Sequence, residues 1–249
     1  MNIEIPGELI TKNTNAIDYS PLQGKILVGC LGMAKSGKDT LGKLMVKRLG
    51  FKRIAFADTL KNDLNEYMKV PVYNDLVSRD VNIELEDIDF FKPPTAEIKE
   101  ILRPYIIWFG ETMKKINGVH HWTNRALAQI EPSDKKIVIT DVRRENELEI
   151  FKGNREFIET RRNNRINVGI EDEEEFESDF ESILIHVNQY GLKDQDQLTI
   201  QTILNAQEEW LIDDVVFVDS RIKDEDDYRE QHMMIHLKNL VKKHPQYFI

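Results

Sequence analysis

The run Lys25-Ile-Leu-Val-Gly-Cys-Leu-Gly-Met-Ala-Lys-Ser-Gly-Lys-Asp-Thr40 constrains this chain more than any other stretch. An apolar segment, Lys25–Cys30, leads into a glycine-rich turn, and helix-forming residues follow from Leu41 to Leu49. Strand, then Gly-x-x-x-x-Gly-Lys, then helix is an order that builds a cradle for phosphate. Gly32 and Gly37 permit backbone conformations closed to residues with a Cβ, so N–H groups can turn inward toward an anion. Lys38 supplies a mobile cation, and the start of the helix adds its dipole. The predicted nucleotide cradle is Gly32, Ala34, Lys35, Ser36, Gly37, Lys38, Asp39 and Thr40.

The pattern is that of a P-loop with one departure. Asp39 follows the lysine where a Ser or Thr hydroxyl normally joins the magnesium shell, and Thr40 comes one place later. A carboxylate is also a hard oxygen ligand, so Asp39 and Thr40 are both metal candidates, with Thr40 also placed for an α-phosphate contact. Capping of the first helical turn is the competing reading for each.

The 249 residues suffice for a full core, and the expectation is one α/β domain, 1–249, carrying insertions. The chain is 41% hydrophobic and 31% charged, and no apolar run approaches the roughly 20 residues that cross a bilayer. The start lacks a secretory pattern and Cys30 is the only cysteine, so a reducing, cytoplasmic setting and no membrane are expected. A formal charge of −10 argues against nucleic-acid binding, which needs a basic stripe to displace counterions.

Residues 1–23 read as an N-terminal arm. After the cradle helix, Phe51–Phe56 has short-strand character and Thr59–Met68 helical spacing, a β-α-β-α start that predicts a parallel sheet with right-handed crossovers. Residues 70–95 are acidic and read as a substrate-side insertion. Ala96–Phe109 is apolar at helical spacing, with Pro104 expected to kink or restart it, and a second helix is expected over Trp122–Ile130. Lys135–Asp141 is the clearest later strand, with Asp141 at the C-terminal end, where ligands of open α/β sheets gather. Beyond it the sequence predicts a short helix at Asn146–Lys152, a strand at Glu156–Thr160 and helices over roughly Glu173–Gln189 and Leu198–Leu211. A strand at Val215–Val218 and a helix at Tyr228–Lys242 close the chain.

The cradle, Ala55-Phe-Ala-Asp-Thr-Leu-Lys61, Leu102–Gly110 with Trp122, and Ile139-Thr-Asp-Val-Arg-Arg-Glu-Asn-Glu147 occur in a familiar order. Over roughly Ile26 to Glu149 the chain resembles the phage-type deoxynucleoside monophosphate kinases, whose P-loop also ends Ser-Gly-Lys-Asp-Thr. The resemblance implies a three-layer P-loop kinase fold, a central parallel sheet flanked by helices, with lid and substrate-binding insertions. It implies transfer of the γ-phosphoryl of ATP, with Mg²⁺, onto a (deoxy)nucleoside monophosphate. Its partners would be small nucleotides, and a homodimer is compatible with it.

Phosphoryl transfer needs alignment, magnesium and cations around the migrating group, so the cations are the residues to weigh. Lys38 is the first. Arg143 could grip a phosphate bidentately, against an ion pair with Glu147 four residues on. Asp141 could orient magnesium or substrate, against helix capping. Asp58 and Lys61 fall where the resemblance implies the monophosphate site, although Lys61 reads equally as a solvated surface charge. Arg103 has Glu100 or Glu111 as rival partners. Trp108, Phe109 and Trp122 could stack on a base, yet such spacing also marks a core. Arg161 and Arg162, with Arg165, occupy the place of a kinase lid, within a segment 161–211 expected to form a lid and helical insertion. The acidic run Glu171–Glu175 there would repel a triphosphate unless it faces solvent.

Two rival functions stand beside this one. Animal-type phosphomevalonate kinase has a similar Ser-Gly-Lys-Asp ending, and a regulatory protein could bind a nucleotide without turnover. His232 and His236 have i,i+4 spacing on the last helix, but with no Cys nearby this common surface pattern is not expected to hold zinc, and Cys30 reads as a small buried apolar residue.

Overall fold

The computed structural model describes residues 15–68, 89–90, 95–153, 180–189, 197–218 and 226–249. They fall into two compact units, one within 1–17 and 56–126, the other within 18–55 and 127–249. No helix among the described residues is long and apolar enough to cross a membrane.

The larger unit is built on five strands: β1 (Lys25–Leu31), β2 (Lys52–Ile54), β3 (Lys136–Val142), β4 (Phe180–Gln189) and β5 (Asp214–Val218). Their order is β2-β3-β1-β4-β5 and every pairing is parallel, as the β-α-β start predicts. Helix α1 (Lys38–Leu49) follows β1, and α2 (Phe56–Met68), α3 (Ala96–Asn117) and α4 (His121–Leu127) belong mainly to the smaller unit. Then come α5 (145–153), α6 (Gln197–Glu208), α7 (Asp226–Lys243) and the short α8 (Pro245–Phe248).

A parallel sheet must be covered on both faces, so its strands are near-continuous apolar runs. On one face Val28, Cys30, Val138, Ile183, Ile185, Val187, Val216 and Val218 pack with Leu41, Leu44 and Met45 of α1 and Met233, Leu237 and Leu240 of α7. On the other, Phe151 of α5 lies so close over Gly29 that a Cβ there would meet its ring at 2.3 Å. Fully burying one such aliphatic side chain contributes about 1.5–3 kcal/mol.

Residues 180–189 correct the sequence reading, which made them helix. Ile183–Val187 is a short apolar run buried on both faces, and periodicity alone does not separate such a strand from a helix. The segment 161–211 therefore contributes an inner strand of the sheet as well as α6. Of the two expectations for Pro104, a kink or a restart, the restart does not occur, because α3 runs through it. Thr95 caps α3 by accepting from the Ile98 N–H at 3.2 Å, and buried Leu102, Phe109 and Met113 offset the bond that proline forgoes.

The smaller unit packs Leu64 and Tyr67 of α2, Leu102, Phe109 and Met113 of α3, Trp122 of α4, and Phe90 into one cluster. Phe90 is one of the described residues of the expected 70–95 insertion, and its N–H donates to Asn65 at 3.1 Å. The expected strand at 156–160 lies outside the described residues.

Candidate functional site

The chain leaves β1 toward β3 and β2, but leaves β4 toward β5 on the opposite side. Neighbouring parallel strands whose connections diverge open a crevice at their C-terminal ends. The loop 32–37 starts in that crevice, where Leu31 is in register with His186 of β4.

Two glycines are required there by geometry. A Cβ on Gly32 would lie 2.4 Å from the carbonyl oxygen of Val187, a contact with backbone that no side chain can relieve. Gly37 has φ +101° and stands immediately before α1. Between them Ser36 N–H donates to Met33 O at 3.3 Å, and Lys35 holds a left-handed φ of 63°, which turns the backbone inside out over one residue. No side chain caps α1, whose first helical bond is Leu41 N–H to Gly37 O at 3.0 Å. The Lys38, Asp39 and Thr40 N–H groups thus lie at an uncapped helix start, suited to an anion.

Lys38 is buried, 3% exposed, although it carries an ammonium. Its Nζ donates to the carbonyls of Gly32, at 2.7 Å, and of Met33, with Ser36 Oγ at 3.5 Å. Burial, followed by the nearby charge of Arg143, pushes its pKa down to about 8, while Cys30, Asp39 and Asp141 act the other way. Cys30 itself is held up at about 12 by burial and is inert, which agrees with its reading as a buried apolar residue.

Arg143 follows β3, and its charge helps lower the Lys38 pKa. The alternative of an Arg143–Glu147 ion pair is not what forms. Glu147 instead accepts the backbone N–H groups of Arg143, at 2.7 Å, and of Arg144, at 2.9 Å, through one oxygen, and so caps α5. Burial and the Asp141 charge push the Glu147 carboxyl up to about 8, against the two accepted N–H bonds. Arg143 is left with a buried Nε that has no hydrogen-bond partner among the described residues. A buried guanidinium nitrogen without an acceptor, beside a second buried cation, suits a multiply charged anion.

His186 is the residue that the sequence reading missed. It is 5% exposed on β4, its Nδ1 has no partner among the described residues, and burial plus Lys38 hold its pKa near 4. The ring is neutral at pH 7. Its available signal was a lone histidine inside the apolar run Ile183–Val187, which the helix assignment obscured.

Of the metal candidates, Asp39 has a 64% exposed side chain paired with Arg53 at 3.2 Å, Thr40 is half-buried, and Asp141 is half-buried at the end of β3. Asp39 does not cap the helix. The described residues contain no group of three His, Cys, Asp or Glu side chains arranged for a metal. Magnesium that keeps several waters needs only one or two protein oxygen ligands, a demand that two of the half-buried Thr40, the half-buried Asp141 and the exposed Asp39 could meet.

Asp58, Lys61, Arg103, Trp108 and Trp122 belong to the smaller unit. Asp58 and Lys61 are half-buried on α2. Arg103 is 66% exposed and 3.8 Å from Glu100, the surface pair that was its alternative. Trp108 is 39% exposed. Trp122 is corrected to the core: it is 6% exposed, its ring lies 5.8 Å from Phe109, and its N–H donates to Gly110 O at 3.0 Å. That leaves no open ring face for a base. The same unit holds a fork the sequence reading did not single out, in which Arg125 grips Asp63 with Nε at 3.0 Å and a terminal nitrogen. Arg161, Arg162, Arg165 and the 171–175 run lie outside the described residues.

A groove of about 540 Å³ between α1 and α7, lined by Arg48, Leu49, Met234, Leu237, Lys238 and Val241, has largely aliphatic walls and no feature of a phosphate site.

No protein-family model and no curated protein matches this chain. Among solved structures it is similar to one described as a "putative kinase" from Chloroflexus aurantiacus J-10-fl, with 13% identity, 87% of this chain and 98% of that chain covered, and a TM-score of 0.34. A likeness at that score carries no weight for activity, which has to be argued from the sheet, the loop and its cations.

Proposed function

We propose that the chain is a P-loop phosphotransferase that moves the γ-phosphoryl of ATP onto a (deoxy)nucleoside monophosphate. One observation carries the reading: Lys38 and Arg143, from opposite ends of the sequence motif set, bring a buried ammonium and a half-buried guanidinium with a buried Nε to the C-terminal ends of β1 and β3 beside an uncapped helix start. Such a place is electrostatically unfavourable until an anion enters it, and phosphoryl transfer needs little else from the protein than this positioning. The N–H groups of the loop and of Lys38, Asp39 and Thr40 cradle the β-phosphate. Lys38 turns from the carbonyls of Gly32 and Met33 to the β- and γ-oxygens, and Arg143 braces the migrating group. Thr40 and Asp141 would hold magnesium, which would supply positive charge to offset that of the migrating phosphoryl group. The acceptor is proposed from the resemblance carried by Asp141-Val-Arg143 and Glu147.

The Asp39–Arg53 pair favours a second reading, a nucleotide-binding protein without turnover, because it occupies the carboxylate next to the lysine. ADP formation from ATP and Mg²⁺, measured with each deoxynucleoside monophosphate and with phosphomevalonate, separates these readings. Release dependent on a nucleoside monophosphate supports the proposal, and ATP binding without any acceptor-dependent ADP supports the second. An Arg143→Lys variant should lose roughly ten- to hundredfold in kcat/KM, since the charge stays but the planar two-point grip goes.

A further inference from the structure

Of the six histidines, His120, His121 and His186 are buried, and His244 is paired with Asp214 at 3.0 Å. His232 and His236 are different. They are half-buried one turn apart on α7, and their Nε2 atoms face one another at 3.1 Å, with the rings edge to face at 77°. Two imidazoles on one tetrahedral zinc, with Zn–N near 2.0–2.1 Å, hold their nitrogens roughly 3.3 Å apart. The pair is therefore already close to a ligand spacing.

Two further features keep it there. The carbonyl of Phe217, in β5, accepts a hydrogen bond from the His236 ring, the outer-shell contact that fixes tautomer and orientation in histidine metal sites. The neighbouring residues Met233, Leu237 and Leu240 are 0–3% exposed and seat this part of α7 on the sheet, so the two Cα positions are set by the core rather than by a loop. Which ring donates across the 3.1 Å gap depends on the tautomer, and an ion bound there takes the place of the proton between the two nitrogens.

We propose that His232 and His236 form a two-imidazole clamp on α7 for a borderline divalent transition-metal ion of the zinc, nickel or copper class. No third His, Cys, Asp or Glu completes the set among the described residues, so water fills the remaining positions. Two nitrogen ligands select these ions over magnesium and calcium, which prefer oxygen. The clamp shares no residue with the loop 32–37 or its cations, although its neighbour Met233 lies against Gly37, and it stands whether or not the chain transfers phosphate. An ion that binds only the folded chain stabilises it by mass action.

The test is calorimetric titration of Zn²⁺ into the untagged full-length chain at pH 7.5, beside His232→Gln and the double variant His232→Gln/His236→Gln. One ion per chain is expected, with affinity at least ~10-fold weaker in either variant. With Cu²⁺ as the probe, the paramagnetic resonance spectrum should report two imidazole nitrogens in the wild type and one in His232→Gln. Circular dichroism shows whether the variants stay folded, and the copper spectrum reads the ligand set even if their stability drops. Equal affinity in wild type and double variant, or a single imidazole in the wild-type spectrum, overturns the proposal.

Discussion

Replacing Lys38 by methionine should make the protein more stable while ending any phosphoryl transfer. The lysine pKa falls from its ordinary 10.5 to about 8 in the folded chain. At about 1.4 kcal/mol per unit, keeping the ammonium charged costs the folded state about 3 kcal/mol at pH 7. Methionine has nearly the same length and no charge to desolvate. The change also leaves the carbonyls of Gly32 and Met33 without their donor, which costs about 0.5–1 kcal/mol each at a partly accessible loop. The net gain is about 1–2 kcal/mol, or roughly 3–6 °C in Tm for a chain of this size. The sign can be checked by pH. A cation with a lowered folded pKa binds fewer protons folded than unfolded between pH 8 and 10.5, so wild-type stability rises across that window and the advantage of methionine shrinks. Urea unfolding of both proteins at pH 7 and pH 10 measures this directly. A Lys38→Met protein that is less stable than wild type at pH 7, or whose advantage does not change with pH, refutes the idea that Lys38 is a strained buried cation awaiting an anion.

Gly32→Ala should cost about 1–3 kcal/mol and abolish nucleotide binding, because the added Cβ would sit 2.4 Å from Val187 O and the loop must move off β4; thermal unfolding and a fluorescent-ATP titration read the two effects. In the smaller unit, Asp63→Asn breaks the fork with Arg125 next to His121, whose pKa near 4 reflects burial first and Arg125 second. A loss of about 1–3 kcal/mol, discounted because the arginine side chain is 42% exposed, should appear in denaturant unfolding; an unchanged midpoint would make the fork a surface pair. Nucleotide affinity should fall as pH rises through about 8, as Lys38 loses its proton, and the Lys38→Met protein should lack that dependence.

The first half of this architecture was legible because its signals are local. A strand, a turn whose glycines lack a steric alternative, and an amphipathic helix lie within one contiguous stretch, and the order of β1, α1, β2 and α2 follows from it. The strand ending at Asp141 was equally plain, since its apolar run ends in a polar residue where a parallel strand meets its loop. Strand β4 was not, because the five residues Ile183–Val187, four of them apolar and all buried, have no amphipathic period, and only pairing with β1 decides its geometry. Lys38 and Arg143 were each visible as cations. That they converge, and that Glu147 gives its carboxylate to backbone N–H groups instead of to the Arg143 guanidinium, depends on where β3 ends beside β1. Trp122 likewise carries an aromatic signal that serves a core or a base equally well, until Gly110 and Phe109 close around it. The sequence by itself determined the phosphate-type loop, the parallel sheet and the candidate charges, because these depend on residue order and backbone sterics. Only the tertiary structure decided which charges share a low-dielectric site, since burial and the spacing between side chains on different strands do not exist until the sheet has formed.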